Sequence, residues 1–256
     1  MFFSFSTKAF AITAGFLLSC ATAWAGVTDD LIKNGDTFDL KLQAAMALTF
    51  YLPAAKLEPD NAHLLVCIAK QYRHLMADAT SREEKLRLGG IALEYAQRAA
   101  TLAPNDSEAQ LSPAIAYGKL LPLQSLKEQT ENARRIKDAA EKAVRLDPRN
   151  DLAWHVLGRW HKVLASVTGL KRTMAQLFFG ELPAASNDDA VMCFQRAIEI
   201  NPTRLMHYVE LGRTYAQMGR TADARRLITK GLAMPDVEKD DPEVKRLGRE
   251  TLAKLQ

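Results

Sequence analysis

The side chains able to do chemistry in this 256-residue chain are mostly cations, and their spacing matters more than their number. Lys70, Arg73 and His74 stand together, His155, Arg159 and Lys162 follow at steps of four and three, and Arg213 comes later in a similar setting. Residues three and four apart share one face of an α-helix. The pattern therefore lines helix faces with guanidinium forks and ammonium groups, which suit carboxylates. Other chemistries find less support. The sequence has no HExxH, GxSxG, GxxxxGK[ST] or GxGxxG, and no cysteine with a nearby His and Asn. His155 and His161 are six residues apart, on different faces of a helix, which does not make a metal pair; His161 reads as a packed core histidine. The acid pairs Glu83-Glu84 and Asp188-Asp189 fall in expected first helical turns, where the helix dipole accounts for them. Cys20, Cys67 and Cys193 give no CxxC or Cys/His cluster of metal-ligand spacing, and Cys67 and Cys193 are expected to be buried small hydrophobes. The expectation is a protein-binding module rather than an enzyme, with no cofactor and no metal.

Charge narrows the partner. Thirty-four Lys plus Arg against thirty Asp plus Glu leave +4, too little for a dedicated nucleic-acid binder with its dense basic stripe. Trp154, Trp160, Tyr95, Tyr208 and Tyr215 fall at helical core spacing rather than on a base-stacking platform. The run Arg134-Arg135-x-Lys137 with Lys142, Arg145 and Arg149 lies beside Glu131, Asp138, Glu141 and Asp147 and reads as a solvated, ion-paired face. A protein or peptide partner is expected, and no nucleic acid.

Elements that could position these groups repeat along the chain. Four segments carry one phrase: Leu57-Glu58-Pro59-Asp60-Asn61, Leu102-Ala103-Pro104-Asn105-Asp106, Leu146-Asp147-Pro148-Arg149-Asn150 and Ile200-Asn201-Pro202. The residue before Pro is pushed out of the α region and Pro suits a first helical turn, so each phrase is expected to end one helix and begin the next. Five residues before each Pro is a small residue, Ala54, Ala99, Ala143 or Ala197, where two helices can approach closely. The Pro residues are 45, 44 and 54 apart, longer than the 34 or so of a standard tetratricopeptide unit. Ser81 with Glu84, and Ser186 with Asp189, announce second helices as capping boxes. Leu164, Val167, Leu170, Met174 and Leu177 predict that the helix through His161 runs on toward Phe179–Pro183. Asp39 to Lys56 predicts a second helix with a short partner over Asp29 to Asn34, and Asp241-Pro242 starts a last, polar capping helix.

Leu157-Gly158, Leu211-Gly212, Ala190-x3-Phe194 and Ala224-x3-Ile228, in phase with the Pro residues, resemble the tetratricopeptide pattern. The fold class expected is all-α: a solenoid of about four such helix pairs with a C-terminal capping helix, over residues 26–256. The chain also resembles one tetratricopeptide family, the regulator of microtubule dynamics proteins and their bacterial relatives. The residues that carry this are Arg135-Ile136-Lys137, the stretch from Ala143 through Asp147-Pro148-Arg149-Asn150 to Leu157-Gly158-Arg159-Trp160, and Leu177-Phe178-Phe179-Gly180-Glu181-Leu182-Pro183. For the animal members the family name implies association with microtubules, which is the alternative function here.

The tetratricopeptide resemblance implies that the first helix of each pair lines a concave groove. The inward residues would be His63, Val66, Lys70, Arg73 and His74; Glu108, Leu111, Ile115, Gly118 and Lys119; Leu152, His155, Arg159, Lys162 and Val163; and Met206, Val209, Arg213, Ala216 and Gln217. The expected groove is basic and takes an acidic or C-terminal peptide segment through Lys70, Arg73, His155, Arg159, Lys162 and Arg213. The alternatives are that these cations pair with acids on adjacent helices or solvate the face, with Arg159 stacking on Trp160.

Residues 1–25 open with Lys8, continue through an uncharged run to Leu18 and close on Ala23-Trp24-Ala25, which reads as a secretory signal peptide. Export, to a periplasm, is expected. Leu17-Leu18-Ser19-Cys20 also resembles a lipobox, which would put a lipid on Cys20 and make the protein a membrane-tethered lipoprotein.

Overall fold

A computed structural model describes residues 26–167 and 184–255; the expected leader, Cys20 and the Phe179–Pro183 stretch lie outside the described residues. Eleven α-helices make up the described part. They are α1 over 26–39, α2 (Ala44–Leu57), α3 (Ala62–Asp78), α4 (Arg82–Leu102), α5 (Ser107–Leu120), α6 (Leu126–Leu146), α7 (Asp151–Ala165), α8 (Asn187–Ile200), α9 (Leu205–Gln217), α10 (Thr221–Ala233) and α11 (Asp241–Ala253). They form a tetratricopeptide-like solenoid. Helices α3 and α4, α5 and α6, α7 and α8, and α9 and α10 pack as antiparallel pairs, α1 with α2 precedes them, and α11 caps the stack against α9 and α10.

The recurrent phrase builds the first three joints in the same way, and the fourth shares their helix end but has Arg204 as N-cap with no side-chain cap bond. Ala54, Ala99, Ala143 and Ala197 are fully buried, and each carbonyl accepts the backbone N–H of the residue just before Pro at 2.9 Å. Pro then sits in a two-residue turn rather than in the first turn of the next helix, a correction to the sequence expectation. The turn closes by Asn61 N–H to the Glu58 carbonyl at 3.2 Å, Asp106 to Ala103 at 3.2 Å and Asn150 to Asp147 at 3.1 Å; Pro's fixed φ is pre-set for the second position of such a turn. The side chains of Asn61, Asp106 and Asn150 next accept the N–H groups of Leu64, Ala109 and Ala153 at 3.0, 2.7 and 3.0 Å. At these three joints turn and N-cap thus share one short phrase.

Between joints, small residues set the spacing of each pair. A Cβ on Gly212 would lie 2.6 Å from Ile228 Cγ1 and 3.0 Å from the Ala224 carbonyl, so α9 touches α10 backbone to backbone. Apolar residues fill the rest: Tyr51, Leu64 and Ile68 in front, Leu111, Ile136, Leu157 and Trp160 in the middle, and Phe194, Tyr208, Leu211 and Leu227 toward the end.

Some boundaries differ from expectation. Asp39 ends α1 rather than opening α2; Leu42, at φ 56°, makes the corner, so the front pair has a full first helix and a second that starts at Ala44. Helix α7 ends at Ala165 with Ser166 as its C-cap, and the predicted steps at Leu170, Met174 and Leu177 lie outside the described residues. Ser81 and Ser186 accept the N–H groups of Glu84 and Asp189 at 3.1 and 3.0 Å. The complete reciprocal box is at Ser125 and Glu128, at the start of α6, which the sequence reading passed over.

Candidate functional site

Helices α3, α5, α7 and α9, the first of each pair, stand in sequence-ordered contact and form the inner row of the stack. Its curvature shows in two long-range ion pairs. Lys119 on α5 meets Asp240 at 2.5 Å, and Lys239 meets Asp78 at the end of α3 at 2.7 Å. The loop between α10 and α11 therefore reaches back across the inner face to helices several pairs away.

The seven basic residues singled out by spacing divide into four environments. On α3, Lys70 meets Asp39 at 3.0 Å, and Arg73 is buried with Ser112 Oγ at 3.3 Å. Burial pushes the Arg73 guanidinium down to about 10, opposed by Asp240. Beside it, burial and then Lys70 push the His74 imidazole down to about 4. On α7 and α9, the carboxylate of Glu210, 3% exposed, accepts Lys162 on one oxygen and Arg213 on the other. Burial would raise the Glu210 carboxyl, yet Lys162, Arg159 and Arg213 together hold it well below the usual carboxylate range. Glu210 was not among the expected inward residues, although it stands three before Arg213, an ion-pair spacing visible in the sequence.

Arg159 is the third case. It is exposed and has neither a hydrogen bond nor an ion pair among the described residues. It does not stack on Trp160; Lys137 lies over that indole, 5.3 Å from its centroid. Trp160 instead buries its ring and donates Nε1–H to the Ala133 carbonyl at 2.7 Å.

His155, expected on the groove wall, is buried under it. Its Nδ1 lies 3.0 Å from Nδ1 of His207, whose Nε2 lies 2.9 Å from Asp151 Oδ2. Burial first, and neighbouring positive charge after it, holds His155 far below the ordinary imidazole range; burial also lowers His207 against the pull of Asp151. With both rings neutral, the assignment follows from donor and acceptor inventory: His207 donates Nε2–H to Asp151 and accepts at Nδ1 from His155 Nδ1–H. Asp151 also takes Arg204 at 3.0 Å. This chain ties α7 to α9 and is a structural link beneath the groove. His161 Nδ1 is 3.7 Å from Asp189 Oδ2, Val209 packs near Gly231 and Gly248 rather than facing open space, and Leu111 lies in the core.

The cysteines differ slightly from expectation: Cys193 is buried, while Cys67 is half-buried, and burial pushes both thiols up to about 12. Among the described residues no group of His, Cys, Asp or Glu is arranged to hold a metal ion. No described helix is long and apolar enough to cross a membrane.

Helix pairs whose first members stand in one inner row define the class as tetratricopeptide-like, a fold that fits a protein-interaction scaffold. The chain belongs to the regulator of microtubule dynamics protein 1-3 family, whose model matches residues 28–256. Regulator of microtubule dynamics protein 1 of Bos taurus is 29% identical over 189 residues, 73% of this chain and 60% of the relative, and that of Mus musculus is 27% identical over 200 residues, 77% and 66%. The chain thus spans under two thirds of the length of these relatives. Among solved structures, the thermophilic tetratricopeptide protein TTC0263 of Thermus thermophilus superposes with a TM-score of 0.64 at 17% identity, over 88% of this chain and 99% of that one. The pilF protein of Pseudomonas aeruginosa gives 0.54 at 11%, over 91% and 90%. Both likenesses concern the fold.

Proposed function

We propose that this protein is a non-enzymatic scaffold, exported by its leader to a periplasm, that holds an acidic or carboxylate-terminated segment of a partner protein in the groove formed by α3, α5, α7 and α9. The observation that carries this reading is Arg159. An exposed guanidinium on the inner row, near the Lys162, Glu210 and Arg213 cluster, with no carboxylate in hydrogen-bond or ion-pair contact among the described residues, is a bidentate fork open to a ligand. Lys70, Lys162 and Arg213 are already paired, so their part is to set the positive field of the wall rather than to grip the partner. Part of the basic excess expected from the sequence is thus balanced in place by Asp39, Glu210 and Asp240, and what remains open centres on Arg159.

The test is anisotropy titration of a labelled acidic peptide against wild type and Arg159→Glu. Arg159 makes no hydrogen bond or ion pair among the described residues, so the variant is expected to keep the fold with some loss of stability from its weakened support of Glu210, yet bind at least tenfold more weakly, and wild-type binding should weaken as salt rises. Equal binding by the two proteins removes the groove reading. Family membership favours a second reading, action on microtubules; co-sedimentation with polymerised tubulin distinguishes it.

A further inference from the structure

The loop joining α10 to α11 is strongly acidic: Asp236, Glu238, Asp240 and Asp241, interrupted by Val237 and Lys239. Each of its acids has a defined place. Asp241 is buried, and its Oδ2 accepts the N–H groups of Val237 and Glu238 at 2.9 and 2.8 Å, which folds the loop into a turn. Asp236 pairs with Lys245 on α11 at 2.5 Å, within the loop's own neighbourhood. Glu238 and Asp240 point the other way. Glu238 meets Arg204 at the start of α9 at 3.1 Å, and Asp240 meets Lys119 on α5 at 2.5 Å.

The surroundings of Asp240 are drawn from three inner helices. Besides Lys119, its carboxylate faces the charges of Arg73 on α3 and Arg159 on α7. Arg73 and Arg159 are among the residues expected to receive a partner's acid. The neighbouring Lys239 fastens the turn to Asp78 on α3. None of these pairings is needed to start α11: Asp240 is its N-cap residue, yet its side chain makes no cap hydrogen bond. A capping helix could be joined to α10 by any short turn, whereas this one brings the Asp240 carboxylate to the inner helices and ties Glu238 to Arg204 at the start of α9.

We propose that residues 236–241 are a built-in competitor of the ligand: Asp240 occupies the groove in cis, Glu238 anchors the loop at Arg204, and a partner's acidic segment binds by displacing Asp240. This rests on the acidic-segment reading above and adds the competition. A groove filled by its own loop for most of the time binds more weakly in proportion to the small open fraction.

The test uses a labelled peptide copying residues 234–242, titrated against full-length protein. Glu238→Gln with Asp240→Asn removes the in-cis carboxylate together with its anchor and leaves Asp241, which shapes the turn, in place. This variant is expected to bind the peptide about tenfold or more tighter than wild type. Asp78→Asn loosens the turn from the other side without changing loop or groove cations, and is expected to tighten binding in the same direction. Adding Arg159→Glu to the first variant should abolish the gain. Equal binding by wild type and both loosened variants overturns the in-cis occupancy while leaving the groove reading intact. No binding by any of them overturns both.

Discussion

Replacing Glu210 by Gln probes how the inner row holds its charge. The glutamate is buried, and its two oxygens serve Lys162 from α7 and Arg213 from its own helix, with Arg159 adding positive potential. Glutamine keeps the volume and one acceptor oxygen, but its amide nitrogen then faces a cation, donor against donor. Breaking a buried pair from one side costs about 3–5 kcal/mol. The side chain of Arg213 is 24% exposed and that of Lys162 11%, so the arginine can turn toward water, which lowers the expected loss to about 2–4 kcal/mol. For a chain of this size that shifts the melting midpoint down by about 5–15 °C. Thermal unfolding followed by far-UV circular dichroism at pH 7 reads it. Glu210→Gln with Lys162→Met should recover much of the loss, because the orphaned ammonium is gone. Protonation repeats the experiment in part. The Glu210 carboxyl is lowered in the folded protein, so its stabilisation is full above the unfolded value near 4.5 and fades only as pH falls below it. A midpoint moved by less than about 2 °C would mean that the cluster is hydrated like a surface pair, and the buried-network reasoning fails.

Three further outcomes are expected. Gly212→Ala should lose about 1–3 kcal/mol despite alanine's better helix propensity, because the new methyl meets Ile228 and the α10 backbone; a stabilised variant in urea unfolding would show the pair is looser than drawn. Asn150→Ala should cost about 1–2 kcal/mol, since Asn150 caps α7 and also donates to Ser107 Oγ at 2.9 Å, which in turn donates to the Ala143 carbonyl at 2.9 Å; an unchanged urea midpoint removes the bridging role. His74 is lowered to about 4 in the folded state, so unfolded chains bind the extra proton between about pH 6.5 and 4, and stability should fall on acidification through that window by up to about 3 kcal/mol. His155 and His207 add in the same direction, so His74→Gln should flatten the fall only in part; no change in slope between urea midpoints at pH 7.5 and 5 contradicts the assignment.

Local chemistry explains how much of this was legible in advance. The four Pro phrases, the alanines five residues before them and the Gly158 and Gly212 contacts are short-range rules acting on neighbours, and the structure follows them repeat by repeat. Proline's exact seat was misjudged because a turn's second position and a helix's first ask for the same φ, and only the Asn or Asp cap two residues later decides between them. The corner at Leu42 was invisible since no glycine or asparagine marks its positive φ.

The groove was half legible for a different reason. Which residues are expected to face inward follows from a register counted along one helix, and that count gave Lys70, Arg159, Lys162 and Arg213. Which acids answer them depends on rotations summed over several repeats, a quantity no local rule carries. Glu210 and Asp39 come from adjacent elements, but Asp240 arrives from 121 residues beyond Lys119. A loop read only as the start of a capping helix thus proves to be the acid facing three inner helices. Curvature decides this contact: a straighter stack would leave Asp240 in water and the inner row more basic, whereas this one brings one of the chain's own carboxylates to the place proposed for a partner's.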